Sequence, residues 1–209
     1  MNISNDLPQS PALTDEQLAV AAQGGCRASF EQIVARMHGP LLGYLRRLAA
    51  SREDAEDLVQ ETLVRAYRKL DRFRTDWRLS TWLFTIARRL WVNHRRKWRI
   101  QSAVDANAMD SGGGTGKSDP AAALIGAEER QQLWRIAAKT LNEPQYTALW
   151  LFYVEGMPVA EIGRVLRRST ASVKAVMFRA RRRLLAALSV HPRPDSLHGF
   201  TVAGSAPET

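Results

Sequence analysis

Residues 157–188, MPVAEIGRVLRRSTASVKAVMFRARRRLLAAL, contain two helical patterns separated by a short polar connection. Pro158 opens a short helix with an apolar stripe, because proline is tolerated at a helix start. Ser169 or Thr170 then caps a longer helix over 171–188. A short helix, a three-residue turn and a second helix together predict a helix-turn-helix.

The charged side chains in most of this segment have one sign. Residues 164–183 carry eight basic side chains and no acid. A helix-turn-helix places its second helix in the DNA major groove, where Lys and Arg reach phosphates and base edges. An ordinary antiparallel helix pair with a solvated basic face is the alternative, and it leaves the absence of acids unexplained. We therefore expect this segment to bind DNA.

The sequence on the N-terminal side is also helical, and no window alternates with the period of a strand. Thr14 begins a capping box, Ser51 caps a helix with an acidic first turn, and Ser80 is expected to cap a helix over 81–98. Gly39-Pro40 is expected to break or kink an earlier helix. The predicted fold class is all-α.

Composition divides the chain into two small helical domains. The segment 101–121 contains DANAMDSGGGTGKSDP, whose small and polar residues cannot bury apolar surface, so it is interpreted as a flexible linker. The folded domains are then expected over 13–100 and 122–188. The arms 1–12 and 189–209 are predicted to be disordered.

The linker also holds SGGGTGKS, residues 111–118, which approaches a phosphate-binding loop. That motif needs glycine where Ser111 stands, and it follows a strand and opens a helix. Here a polar stretch precedes it and Pro120 follows, so a nucleotide-hydrolysing enzyme is disfavoured. The chain has one cysteine, no metal-ligand spacing and no nucleophile–base pair, which predicts no metal, no cofactor and no enzymatic activity.

The overall charge points to a polyanionic partner. The chain of 209 residues has 30 Lys and Arg against 21 Asp and Glu, a net charge of +9, and nucleic acid is the commonest polyanion. Its apolar runs are far shorter than the roughly 20 residues of a membrane span. The N-terminus lacks the basic and apolar regions of a secretion signal. We expect a cytoplasmic protein without membrane insertion.

Two further blocks suggest contacts of different kinds. Residues 65–99 carry twelve bases, and the stretch 73–99 mixes bases with aromatic rings. This combination suits melted DNA, because aromatic rings stack on unpaired bases. Trp82 and Phe84 are expected in the core, whereas Trp77 lies in a polar loop and is a candidate for stacking. Residues 53–61 carry five acids and no base. This acidic face suits a basic partner protein, with compensation of the helix dipole as the alternative.

Three segments resemble the bacterial sigma factors of the sigma-70 family, in particular the extracytoplasmic-function (ECF) group. They are EDAEDLVQETLVRAYRKLDRFR (53–74), STWLFTIARRLWVNHRRK (80–97) and LNEPQYTALWLFYVEGMPVAEIGRVLRRSTASVKAVMFRARRRL (141–184). The resemblance implies sigma domain 2 over 13–100, sigma domain 4 over 122–188, and a protein that gives RNA polymerase its promoter specificity. A stand-alone helix-turn-helix regulator is the alternative, and it leaves the acidic and basic-aromatic blocks unexplained.

The resemblance also implies functional residues and partners. Docking on the clamp helices of the polymerase β′ subunit would use Asp57, Leu58, Gln60 and Glu61. Binding and melting of the −10 element would use Arg74, Trp77, Arg78, Arg88, Arg89, Asn93, Arg96 and Lys97. Binding of the −35 element would use Arg168, Ser169, Thr170, Ala171, Ser172, Lys174, Ala175, Phe178, Arg179, Arg181 and Arg182. The implied partners are the polymerase core with its β flap, promoter DNA and an anti-sigma factor.

The second helix of the helix-turn-helix is expected to divide its contacts. Spacings of four and three place Lys174, Phe178 and Arg181 on one face, toward base edges. Arg182 is expected at the side of the helix, near phosphates. At Ala175 the chain departs from relatives that carry a hydrogen-bonding side chain. The promoter sequences recognised by those relatives are therefore not expected to apply to this chain.

Overall fold

The computed structural model describes residues 13–104 and 124–190, with side chains over 13–97 and 129–189. In these ranges the chain is helical and has no strand, which confirms the all-α prediction. The helices are α1 (Asp15–Gln23), α2 (Arg27–Leu45), α3 (Arg52–Arg68), α4 (Leu79–Val104), α5 (Leu124–Thr140), α6 (Glu143–Tyr153), α7 (Val159–Leu166) and α8 (Thr170–Val190), with a short 3-10 turn at Leu70–Arg72. We call α1–α4 the N-terminal unit and α5–α8 the C-terminal unit.

The predicted helix caps at Thr14 and Ser51 are present. Thr14 forms the full capping box with Gln17, and the Ser51 hydroxyl accepts from the Asp54 amide at 3.0 Å. The stripe on α3 faces the core as expected, with Val59 fully buried and Leu63 nearly so. Caps and apolar spacing therefore position these two helices from local sequence alone.

The structure differs from the sequence expectations at two helix boundaries. Helix α2 continues through Pro40 to Leu45, so the Gly39-Pro40 pair does not break it. Proline removes one intrahelical hydrogen bond, and the complete burial of Leu41 and Leu45 on the following turn offsets that loss. Ser80 is not the cap of α4, because the helix begins at Leu79, whose amide donates to the Glu16 carboxylate of α1 at 3.0 Å.

The helix-turn-helix forms as predicted, and its turn is tight. Arg167 ends α7 in the left-handed conformation, with φ at 55°. The Arg168 amide then donates to the Gly163 carbonyl at 2.8 Å. A Cβ atom on Gly163 would lie 2.7 Å from the Arg168 carbonyl oxygen, so only glycine fits this closely at the end of α7. The turn sets the angle at which α8 leaves α7.

The N-terminal and C-terminal units pack against each other and share one continuous core. Trp150 of α6 lies on α2, where its indole ring is 3.3 Å from the position of a Cβ atom on Gly43. The buried Tyr44 and Thr147 hydroxyls bond across the boundary at 2.8 Å. The two predicted domains therefore form a closed pair, which the sequence did not reveal.

Candidate nucleic-acid and partner-protein interfaces

The acidic face predicted on α3 is exposed to solvent. Asp57, Gln60 and Glu61 lie on one side of the helix, while Leu58 is only 3% exposed and packs in the core. Leu58 is thus buried in this structure, and its part in docking stays a prediction. Leu58 lies four residues before the buried Thr62, so both side chains point to the inner face of α3, where an apolar residue is expected.

Sequence reasoning missed an apolar part of this face. Val64, about one turn beyond Glu61, is 47% exposed, and Tyr67, nearly two turns beyond it, is 57% exposed. Glu61 itself pairs with Arg65 in an exposed (i, i+4) contact, which lowers the negative charge of the face. Large apolar side chains beside charges are typical of protein interfaces. Their outward direction could have been read from the helical period of α3.

Most of the predicted −10 residues form one basic surface. Arg89, Asn93, Arg96 and Lys97 are exposed along α4, and Arg74 and Arg78 are exposed in the preceding loop and at its end. A shallow groove between α3 and α4 connects this surface to the acidic face, with Glu61, Asn93 and Arg96 among its lining residues.

Three predicted −10 residues contact the C-terminal unit in this conformation: Arg88, Trp77 and Arg78, whose Nε lies 3.5 Å from the Glu161 carboxylate of α7. Arg88 forms a bidentate pair with Glu143 of α6, with N···O distances of 2.5 and 2.9 Å. Both side chains are largely buried, at 20% and 10% exposed. Trp77 is half-buried, and the Arg164 guanidinium of α7 lies 4.8 Å from its ring centre. The C-terminal unit covers this part of the surface.

The other aromatic residues of 73–99 whose side chains are described belong to the core. Phe84 is fully buried, and Trp82 is half-buried against Phe73, as predicted. Trp91 is buried, and its indole N–H donates to the Leu48 carbonyl at 2.9 Å. Of the aromatic side chains described here, Trp77 remains the candidate for base stacking. The side chain of Trp98 lies outside the described residues.

The predicted −35 surface is the outer face of α8. Val173, Val176 and Met177 are buried against the C-terminal unit. Exposed residues at the start and along the outer side of α8 are Arg168, Ser169, Thr170, Ala171, Lys174, Phe178, Arg179 and Arg182. Ala175, Ser172 and Arg181 are half-exposed. The Ser172 amide donates to the Ser169 hydroxyl at 3.3 Å, so Ser169 is the cap of this helix.

Contacts on α8 modify the expected division of its side chains. The Arg182 guanidinium lies 5.9 Å from the centre of the Phe178 ring, so Arg182 and Phe178 share a surface rather than lying on different sides. Arg181 is turned toward α6, where its Nε donates to the Tyr153 hydroxyl at 3.0 Å. The exposed ring of Phe178 is thus flanked by a cation, which suits contact with a base step and a phosphate.

Other sequence features gave no additional site. Within the described ranges no group of three or more His, Cys, Asp or Glu residues could hold a metal ion. The linker motif SGGGTGKS lies outside the described residues. None of the helices in 13–104 and 124–190 is long and apolar enough to cross a membrane.

Comparisons with known proteins agree with the two-unit division. The family model Sigma-70 region 2 matches residues 33–100, and Sigma-70, region 4 matches residues 136–184. The ECF RNA polymerase sigma-E factor of Escherichia coli (strain K12) is 30% identical over 183 residues, which span 82% of this chain and 93% of the relative. The RNA polymerase sigma-H factor of Pseudomonas aeruginosa is 31% identical over 175 residues, spanning 80% and 90%.

Solved structures show the same fold. CnrH in complex with the cytosolic domain of CnrY has a TM-score of 0.64 at 24% identity, covering 85% of this chain and 99% of that one. The sigma factor RpoE in complex with the anti-sigma factor NepR from Bartonella quintana has a TM-score of 0.65 at 24% identity, covering 78% and 98%.

Proposed function

The chain belongs to the ECF sigma factors of the sigma-70 family, and from this premise we propose how its surfaces divide the work of directing RNA polymerase to promoters. The N-terminal unit acts as sigma domain 2 over 13–100, and the C-terminal unit acts as sigma domain 4 over 122–188. The segment 101–121 joins them as a spacer. The observation that supports this division most directly is the order of an acidic face, a basic surface and a helix-turn-helix along one chain.

The acidic face is the docking site for core polymerase. Asp57, Gln60 and Glu61 supply charge and hydrogen bonds toward the β′ clamp helices, and Val64 adds exposed apolar area beside them. A complementary pair of charged surfaces speeds association and fixes orientation more than it adds affinity. The buried Leu58 contributes by holding α3 in place.

The basic surface of α4 engages the −10 element. Arg89, Arg96 and Lys97 are in position to hold the phosphate backbone, and Asn93 adds hydrogen-bonding capacity. The ring of Trp77 offers a stacking platform for an unpaired base. This combination favours strand opening, because it binds a base that has left the duplex.

The outer face of α8 engages the −35 element, and the β flap contacts the same C-terminal unit. Lys174, near the N-terminal end of α8, and Phe178 supply contacts to base edges, and Arg179 and Arg182 contact phosphates. A stand-alone regulator would also use this helix, but it would have no use for the acidic face of α3.

The remaining assignments follow from this role. The chain carries no catalytic activity of its own, and RNA synthesis stays with the polymerase in the cytoplasm. A protein regulator of the anti-sigma class is a further partner, since the RpoE relative in the comparison was solved with such a protein.

Reconstitution with core polymerase tests the proposal. We expect the parent chain to form a holoenzyme that starts transcripts at defined promoters, and Asp57→Lys to weaken binding to the core while the fold is retained. Glu31→Lys is the matched control, because Glu31 is an exposed acid on α2 in a simple (i, i+4) pair with Arg27. Equal core affinity of Asp57→Lys and Glu31→Lys would reject the docking face. Failure of the parent chain to bind core would favour the stand-alone regulator.

A further inference from the structure

The loop before α4 carries three of the residues assigned to the −10 element, and it is anchored at both ends. We call residues 74–78 the −10 loop. Phe73 and Leu79 flank it and are buried, whereas Arg74 and Arg78 are exposed between them. The two anchors are six positions apart, so an extended chain would let them lie about 20 Å from each other. The length of the loop alone therefore does not set the distance between its ends.

The carboxamide of Gln23, at the C-terminal end of α1, holds the start of the −10 loop. Its Nε2 atom donates to the Leu70 carbonyl at 2.7 Å and to the Phe73 carbonyl at 2.9 Å. An amide nitrogen carries two hydrogens, so one side chain serves both carbonyl groups. Gln23 thereby fixes the backbone of the 3-10 turn and of the residue directly before Arg74.

The carboxylate of Glu16, in the first turn of α1, holds the other end of the −10 loop. Its Oε1 atom accepts from the Leu79 amide at 3.0 Å. The first amides of a helix have no acceptor within the helix, and a negative charge near them is favourable because of the helix dipole. Glu16 thus caps the beginning of α4 from a different helix, directly after Arg78.

The two side chains lie on one face of α1, two turns apart. Glu16 and Gln23 are seven positions apart, which corresponds to a rise of about 10 Å and nearly two full turns. The spacing of their partners on the −10 loop is therefore matched to a rigid helix. Helix α1 is itself held on α2, because Leu18 is fully buried and Arg36 of α2 bonds to Asp15 at 2.8 Å.

We propose that Glu16 and Gln23 are positioning residues for recognition of the −10 element, and that α1 holds the −10 loop in the shape that receives a DNA base. The inference rests on the proposed assignment of Arg74, Trp77 and Arg78 to that element. Glu16 and Gln23 act through the backbone of the loop and need no contact with DNA.

Preorganisation is the physical reason for this role. A loop that is already held at both ends has less freedom to lose when a base binds, so more of the contact energy is available for binding. A fixed backbone also keeps the Trp77 ring and the flanking arginines in one arrangement, which sharpens the choice among bases. The match to Sigma-70 region 2 begins at residue 33, after α1 has ended, so it does not include Glu16 or Gln23.

Two substitutions at Glu16 separate its hydrogen bond from its charge. Glu16→Gln removes the charge but keeps an oxygen that can accept from the Leu79 amide, whereas Glu16→Ala removes both. Loss of an acid by itself favours DNA binding, and it does so in both variants. Hydrogen exchange of the Leu79 amide in the full-length chain should become about tenfold faster in Glu16→Ala and stay near the parent rate in Glu16→Gln. Unchanged exchange in Glu16→Ala would overturn the capping role.

Selection from a promoter library with a randomised −10 element, by reconstituted holoenzyme, measures the effect on recognition. Glu16→Ala should weaken the preference among −10 bases by about threefold to tenfold, and Glu16→Gln should restore it. The −35 preference should not change, since a general loss of stability would lower transcription from all promoters alike. Glu31→Ala is the matched control, because it removes an exposed acid of α2 that pairs with Arg27. Parent-like −10 preference in Glu16→Ala would overturn the inference.

A variant at the other end of the loop covers the case in which Glu16→Ala does not fold. Gln23→Glu keeps the length of an exposed side chain but places acceptor oxygens against the two carbonyl groups, so it should also weaken −10 preference. Gln32→Glu introduces the same charge at an exposed position of α2 and should select like the parent. A Gln23→Glu holoenzyme with the parent's −10 preference would refute the role of α1 at this end.

Trp77→Ala tests the assignment of the −10 loop separately. Weakened −10 preference in Trp77→Ala, Glu16→Ala and Gln23→Glu supports the inference. Weakened preference in Trp77→Ala alone would overturn the positioning role and leave the proposed function of the loop intact. Parent-like preference in Trp77→Ala would reject the proposed function of the loop, and the inference with it.

Discussion

Replacement of Gly163 by alanine has two opposite effects on the stability of the folded chain. Alanine favours a helix over glycine by about 1 kcal/mol, so propensity alone predicts a more stable α7. The new Cβ atom, however, would lie 2.7 Å from the Arg168 carbonyl oxygen, and that oxygen belongs to the backbone of the turn. Since ordinary contact begins near 3.4 Å, the turn must widen by roughly 0.7 Å.

The cost of that widening exceeds the gain in propensity. Overpacking at a site that cannot yield costs about 1–3 kcal/mol, and the Arg168–Gly163 hydrogen bond contributes about 1 kcal/mol more if it breaks. The net expectation is a loss of about 1–3 kcal/mol in the free energy of unfolding. The recognition helix would also leave the turn at a changed angle, so −35 discrimination should fall while binding of the −10 element is retained.

Urea unfolding of the full-length chain measures the first effect, and selection from a randomised −35 library by the holoenzyme measures the second. Ala160→Gly, at an exposed position of the same helix, serves as the control for propensity without overpacking. A Gly163→Ala chain that is as stable as the parent, or more stable, with unchanged −35 preference would refute this account of the turn.

Three further predictions concern docking, DNA contact and pH. Asp57→Lys combined with Glu61→Lys should weaken binding to core polymerase further than either single change, and the melting temperature should be retained. Titration with labelled core measures the affinity, and an undiminished affinity would contradict the docking face. Arg182→Ala should weaken binding to all promoters and flatten the salt dependence of that binding. Lys174→Ala should instead change the preference for particular −35 bases by roughly 1–3 kcal/mol. Equal effects of the two variants in the library selection would reject the assignment of Arg182 to phosphates and of Lys174 to bases. Burial raises the pKa of Glu155. Its carboxylate therefore destabilises the folded state above that raised pKa, and this penalty disappears as the pH falls below the ordinary pKa of a glutamate. Glu155→Gln should raise the melting temperature near pH 7 and have no advantage near pH 4.

Local patterns predicted the elements of this fold well, and their failures have physical causes. Thr14 and Ser51 cap their helices because a side-chain oxygen bonding a nearby amide is a property of adjacent residues. Pro40 did not end α2, because tertiary burial of the next turn outweighs one missing hydrogen bond. The start of α4 at Leu79 depends on Glu16, which is 63 residues away in sequence. No local signal contains that information.

Some features of the candidate site could likewise be predicted from local sequence, and others could not. The exposure of Asp57 and Lys174 followed from helical period, and so did the direction of the apolar stripe that should have placed Leu58 inside. The engagement of Arg88 by Glu143 could not have been predicted, because it needs the relative position of two units separated by a glycine-rich segment. Sequence reasoning identifies surfaces within each unit, and the pairing of units requires the structure.

The boundary between the units combines a buried ion pair with apolar contacts. A buried ion pair adds little net stability, because the attraction between its charges is offset by the cost of removing both from water. The Arg88–Glu143 pair therefore specifies how the units pack more than it stabilises their packing. The Tyr146 hydroxyl strengthens this conclusion, since it is buried beside Tyr44 without a hydrogen-bond partner among the described residues, at a cost of about 1–3 kcal/mol to the closed state. The apolar contacts between α4 and α7, together with the aromatic contact of Trp150 on Gly43, must therefore supply the attraction between the units.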